Sequence, residues 1–257
     1  MNSDSPEYLK RKKFINQLLT IYGRNPCLEA MADKNVDVYR LHLADSNKSA
    51  KVLDELVKLA EQRGAEVLYH DKKALSRISK NGKQDQGVAV DLHLKQFIEY
   101  EDFLRQPQSD KIELIALDRI TNPQNLGMIL RSVCASPLKG LILPRNGCAK
   151  LDSLVIKAST GTLFRTNIIR CDNLDTCLES FAKQAYDIVG LNVNAQTSLK
   201  SYQPKQQAIY VLGNETEGLS DRIQQLCNRQ VKIDMRNQVE SLNVAVTAGL
   251  IAFRNLL

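Results

Sequence analysis

YVLGNETEGLS, residues 210–220, is the stretch from which the fold can be read. It starts inside a short apolar run, Ala208–Leu212, bounded by polar residues as a buried strand would be. The run stops at Gly213 and breaks into Gly213-Asn214-Glu215-Thr216-Glu217-Gly218. From Leu219 the spacing turns helical, with Ser220 a candidate cap. A strand delivered into a glycine-bracketed turn lets a ligand approach the backbone, because glycine has no Cβ and tolerates positive φ. In open α/β sheets, ligands bind at the carboxyl ends of strands. Taken alone, the same residues also describe an ordinary strand–turn–helix connection with solvated acids.

Around this stretch, residues 111–257 alternate strands and helices. Strands are expected at Ile112–Leu117, Gly140–Leu143, Leu163–Ile169, Asp187–Asn192, Ala208–Leu212 and Gln230–Ile233. Helices are expected at Gln124–Ala135, Ser153–Ala158, Leu174–Ala185, Ser220–Cys227 and Ser241–Leu256. That order argues for an α/β domain with a mainly parallel sheet. Neither GxGxxG after the first strand nor GxxxxGK[ST] is present, so a dinucleotide fold and a P-loop are unsupported. Residues 21–93 form a second, smaller α/β unit, with strands at Asp37–Ala44, Glu66–His70 and Gly87–Leu92 and helices between them. Residues 94–110 read as a linker and residues 1–20 as a polar tail or short amphipathic helix.

Composition narrows the function classes. No apolar run reaches the roughly 18 residues that span a bilayer. The N-terminal stretch places acids before its basic cluster, unlike a secretory signal. No membrane role is therefore expected; a bacterial cytoplasm is the default location, with an organelle the alternative. The six cysteines form no CxxC pair, and the three histidines all lie in the first hundred residues. No metal site is expected, and the larger domain has no imidazole to serve as a base. The net charge is +6, and the excess lies in residues 111–257, compatible with a polyanionic partner.

Two further motifs accompany the glycine turn. In Asn122-Pro123-Gln124-Asn125-Leu126-Gly127-Met128-Ile129-Leu130-Arg131, Pro123 holds Asn122 extended, so a helix can start only after it. Gly127 is one turn before Arg131 on the same face, and would leave room above the guanidinium for a ligand. In the third, Ile233-Asp234-Met235 ends a strand and Ser241-Leu242-Asn243 starts the last helix, with Ser241 able to cap it. Ser241 and Asn243 can be site residues or simple helix-start polar groups. The apolar stripe Leu242, Ala245, Val246, Gly249, Leu250, Phe253 and Leu257 can face the core or a second copy.

NPQNLGMILR at 122–131, LGNETEG at 212–218 and IDM…SLNVAVTA at 233–248, in this order, resemble the SpoU (TrmH) family of RNA ribose 2′-O-methyltransferases, within the SPOUT superfamily. Upstream, YGRNPCLEAM at 22–31 and QGVAVDL at 86–92 resemble the small L30e-like substrate-recognition domain of the branch that modifies a guanosine of bacterial large-subunit (23S) rRNA. One departure is Asp234, where the family usually has Pro. The resemblance implies a trefoil-knotted catalytic domain that binds S-adenosylmethionine and works as a homodimer on RNA, rRNA first. It also implies that Gly213, Asn214, Gly218, Ile233, Met235 and Leu242 hold the cofactor, and that Asn125, Arg131, Glu215, Ser241 and Asn243 form the transfer site. Asn125 and Arg131 would face the ribose across the dimer interface. Lys72, Lys73, Arg77, Lys80 and Lys83 are candidate phosphate contacts, although each taken singly reads more readily as part of a solvated face. A tRNA enzyme and a non-catalytic RNA-binding assembly factor are the alternative readings.

Overall fold

The structure, a computed structural model, describes residues 5–34, 36–106, 111–204 and 207–256. The chain divides into two units, 1–97 and 98–257. In the first, α1 (Pro6–Asn16), β1 (Leu18–Tyr22), α2 (Arg24–Ala32), β2 (Asp37–Ala44), α3 (Lys51–Gln62), β3 (Glu66–His70), α4 (Lys72–Ser79) and β4 (Val88–His93) follow in order. The sheet runs β1-β4-β2-β3, with β2 and β3 parallel and both β4 contacts antiparallel. Alternation in β2 buries Leu41 and Leu43 on one face and sends His42 to the other. There His42 Nε2 faces Asp91 at 3.0 Å and its Nδ1 faces His70 at 3.0 Å. α4 starts because Asp71 caps it, accepting from the Ala74 amide at 2.8 Å.

The second unit comprises β5 (Phe97–Glu99), α5 (Tyr100–Arg105), β6 (Glu113–Leu117), α6 (Pro123–Cys134), β7 (Gly140–Pro144), α7 (Ser153–Ser159), β8 (Ile168–Cys171), α8 (Leu174–Lys183), β9 (Tyr186–Leu191), β10 (Thr197–Ser198), β11 (Gln207–Leu212), α9 (Asp221–Leu226), β12 (Arg229–Lys232) and α10 (Val244–Phe253). Its sheet has the order β10-β12-β9-β11-β6-β7-β8-β5, and the contacts from β10 through β8 are parallel. β11 and β6 are buried along most of their length, which explains apolar runs without alternation. Leu114, Ile142, Phe181, Ile188 and Ile209 belong to the core that α8 closes.

Several expectations are corrected. The linker 94–110 instead supplies β5 and α5, because Phe97 and Phe103 are buried; 107–110 lies outside the described residues. Of the two readings of residues 1–20, the short helix is found as α1, and β1, which neither reading includes, follows it; the first four residues are outside the description. The strand at Leu163–Ile169 begins only at Ile168, since Thr162–Phe164 is a 3-10 turn held by the Thr162 and Thr166 hydroxyls. The last helix starts at Val244. Its cap is Asn243, not Ser241: Asn243 Oδ1 accepts from the Ala245 and Val246 amides at 2.9 and 3.4 Å.

Candidate active site

A cavity of about 530 Å3 opens at the carboxyl ends of β9, β11 and β12. Its wall combines the turn after β11 with the loop between β12 and α10. Of the residues singled out from sequence, Gly213, Asn214, Glu215, Gly218, Ile233, Met235, Ser241 and Leu242 line it. Two glycines are required there for different reasons. Gly218 sits at φ +71, where a Cβ would be strained although it would touch nothing. At Gly213, a Cβ would lie 2.3 Å from the Gly218 carbonyl carbon and 2.4 Å from the Leu219 nitrogen, so the two arms of the turn meet only without a side chain.

The turn is built from its own polar residues. Asn214 Oδ1 accepts from the Thr216 and Glu217 amides at 2.9 and 3.2 Å, and Asn214 Nδ2 donates to the Arg119 carbonyl at 3.1 Å. Beyond the turn, the Ser220 amide donates to Asp118 at 2.6 Å. Asp118 and Arg119 follow β6, so the loop leading to Asn122 holds the glycine turn.

One hydrogen-bonded chain joins all three motifs. Asn122 caps α6 and places Asn125 one turn in, 5% exposed. Asn125 Nδ2 donates to Glu215 Oε1 at 2.5 Å, and Asn125 Oδ1 accepts from Asn243 Nδ2 at 3.1 Å. With Asn243 also capping α10, both its polar atoms are engaged.

Arg131 is not brought to this cluster. Six residues separate it from Asn125, about 120° around the helix. It is exposed, with no side-chain hydrogen bond or ion pair among the described residues. The room expected beside Gly127 is filled by α7: a Cβ at Gly127 would lie 2.4 Å from the Ala158 Cβ and 2.9 Å from the Ser159 nitrogen. That glycine serves helix packing, not a ligand. Asp234 accepts from the Ser198 hydroxyl at 2.6 Å, which ties the β10 segment to the cavity loop.

Sequence reasoning missed Arg119. Its backbone is left-handed at φ 60, and its guanidinium pairs with Glu217 and donates to the Gly218 carbonyl at 3.2 Å. An Arg between two turn residues carries no local signal of a partner 98 positions away. The cavity lining is acidic: Glu215 and Glu240, with Glu217 already paired to Arg119, stand against Lys232. Cys227 lines an adjoining space of about 290 Å3, and burial pushes its thiol up to about 11, so it is no nucleophile at neutral pH. Among the described residues, no group of three or more His, Cys, Asp or Glu is arranged to hold a metal, and no helix is long and apolar enough to cross a membrane.

Comparison with known proteins matches these features. The model of the SpoU rRNA Methylase family matches residues 112–253, and that for RNA 2′-O ribose methyltransferase substrate binding matches residues 20–97. An uncharacterized tRNA/rRNA methyltransferase of Mycolicibacterium gilvum is 32% identical over 243 residues, covering 94% of this chain and 77% of the relative. A protein of the same description from Mycobacterium leprae is 32% identical over 251 residues, covering 97% and 80%. Among solved structures, the SpoU methyltransferase AviRb from Streptomyces viridochromogenes, in complex with AdoMet, aligns at a TM-score of 0.64 and 23% identity, covering 98% of this chain and 92% of that one. The AdoMet-bound rRNA methyltransferase from Sinorhizobium meliloti aligns at 0.64 and 21%, covering 96% and 91%. At these identities the structural likeness speaks for the fold.

Proposed function

The chain belongs to the SpoU rRNA methylase family, and from that premise we propose that it moves a methyl group from S-adenosylmethionine to a ribose 2′-hydroxyl of RNA, with a guanosine of large-subunit rRNA as its target. The observation that carries this reading is the Asn243–Asn125–Glu215 chain, which joins three sequence motifs beside one cavity.

The cavity suits the cofactor. Its acidic wall faces a ligand bearing sulfonium and ammonium charges, and Ile233, Leu242 and Val244 offer apolar surface to a base. In this reading Gly213, Asn214, Gly218, Ile233, Met235 and Leu242 hold it. When bound, the cofactor supplies a methyl group already activated for displacement, so the protein's task is mainly positioning. Asn125 spends both ends of its amide on Glu215 and Asn243, and so sets the Glu215 carboxylate and the start of α10 relative to each other. Ser241, exposed on the cavity wall, contacts the ribose in this reading. Arg131 holds a neighbouring phosphate and stabilises the developing oxyanion; a guanidinium is too weak a base to take the proton.

Arg131 lies away from Asn125 within one chain, which fits a site completed by a second copy. Leu242, just before α10, and Val246 and Leu250 on it, at 38, 52 and 37% exposure, give an uncovered apolar face for that contact. The trefoil threading implied by the resemblance belongs to this reading, as does a cytoplasmic setting. In the first unit, exposed Lys72, Lys73, Arg77, Lys80 and Lys83 follow one another on α4 and the next loop, and select the RNA through its phosphates and shape.

The test is transfer of labelled methyl from S-adenosylmethionine into purified rRNA and tRNA pools. Label should enter large-subunit rRNA and fall by about 10²-fold or more in Arg131→Ala, with cofactor binding unchanged. Label confined to tRNA would favour the tRNA enzyme, a reading kept open by relatives described as tRNA/rRNA methyltransferases. Cofactor binding without transfer to any RNA would favour the assembly factor.

A further inference from the structure

We propose that Arg119 is a positioning residue that clamps the Gly213–Ser220 turn in its ligand-ready shape. The inference rests on the cofactor reading above and assigns to that site a residue outside its three motifs.

Four contacts converge on the turn from the two residues after β6. The Arg119 carbonyl receives Asn214 Nδ2 at 3.1 Å, and the Asp118 carboxylate receives the Ser220 amide at 2.6 Å. The Arg119 guanidinium crosses between them, pairing with Glu217 and donating to the Gly218 carbonyl at 3.2 Å. Its Nε lies 3.4 Å from Asp118 Oδ1, so one carboxylate steadies both the guanidinium and the end of the turn. Asn214, Glu217 and Gly218, all three of which line the cavity, are thereby tied to the residues that follow β6.

The backbone of Arg119 makes the arrangement informative. Left-handed geometry at φ 60 is disfavoured for a residue with a long side chain, and glycine adopts it freely. A residue selected only for the bend would be glycine. An arginine here accepts the conformational cost and gains the reach to span the turn, which glycine lacks. The ion pair is partly exposed, at 37 and 65% for the two side chains, so its value lies in ordering the turn more than in global stability.

Substitution can therefore separate clamp from bend. Arg119→Gly keeps the bend and removes the guanidinium. Its unliganded melting temperature should be equal to or above that of the parent. Its S-adenosylmethionine Kd, measured by titration calorimetry, should rise about tenfold. Amide hydrogen exchange at 214–220 should quicken without ligand. Glu217→Gln should weaken binding about threefold, and the double variant should be no weaker than Arg119→Gly alone, because the two act through one contact. Unchanged affinity and exchange in Arg119→Gly, or fully additive effects in the double variant, would overturn the clamp. If the parent protein binds no S-adenosylmethionine, the cofactor reading fails, and the exchange rates alone decide whether Arg119 orders the turn.

Discussion

Asp91 sits where three strands of the first unit meet, accepting the Thr20 hydroxyl at 2.5 Å and facing His42 Nε2 at 3.0 Å. Burial is the largest single influence on this carboxyl and pushes it up. The His42 and Thr20 hydrogen bonds, with the nearby His42 and Arg40 charges, together outweigh burial and hold it below the usual carboxylate range. A folded-state value below the unfolded one means that the unfolded chain takes up this proton first as pH falls. The contribution is thus whole above about pH 4 and is lost as pH drops from there through the folded-state value. Asp91→Asn should lower the first unit's melting temperature at neutral pH and flatten its decline below about pH 4. Melts followed by circular dichroism across that range check it, and parallel pH profiles for the two proteins would refute it. At this scale the sequence was only partly legible. Gly218 could be anticipated, because a turn needing positive φ selects glycine. The reasons for Gly213 and Gly127 could not, since each depends on backbone arriving from elsewhere: the far arm of the turn in one case, α7 in the other.

Apart from the buried Thr247, the helix α10 is apolar, and it is fixed at both ends. Asn243 caps its start and reaches Asn125. Just past its end, Arg254, with its side chain 6% exposed, pairs with Glu113 at 2.6 Å and donates to the Tyr202 carbonyl at 2.7 Å. A helix so held presents its outer residues in fixed order, and Val246 and Leu250 stand one turn apart on that side. The stripe read from sequence mixes two faces: Ala245 is buried, while Leu242, Val246 and Leu250 are not, and Leu257 lies outside the described residues. Periodicity marks an apolar helix but does not say which side its own chain covers. If the uncovered side is the homodimer contact, the parent should sediment at twice 28.9 kDa. Val246→Glu should then sediment as a monomer, because the contact would bury an unpaired carboxylate. Its melting temperature as a monomer should be little changed, the position being exposed. Equal sedimentation of parent and variant would remove the dimer role from this face.

Across the whole molecule, the alternation of apolar runs with helical stripes was enough to anticipate a parallel α/β unit after residue 111 and a smaller one before it. Strand order was not legible, because β11 lies between β6 and β9, a pairing that no local pattern records. Nor was β5, a three-residue strand whose assignment depends on joining the sheet edge beside β8. The site followed the same division: the glycine turn and the capped helix starts are local and readable, while the contacts joining them span about a hundred residues of sequence. This arrangement separates the two proposed tasks of the chain. Every residue lining the 530 Å3 cavity falls between Leu191 and Thr247, and the unit that holds it has its own core, from Phe103 to Ile223. A fragment beginning at Lys95, which keeps β5 whole, should therefore fold and bind S-adenosylmethionine with a Kd within about threefold of the parent's. Methyl transfer to large-subunit rRNA should fall much further, because the basic α4 segment proposed to select the RNA is gone. Calorimetry of the fragment and transfer assays on rRNA read the two effects separately. A fragment that folds but no longer binds the cofactor would show that the first unit helps to shape the site, and equal transfer by fragment and parent would show that the first unit does not select the RNA.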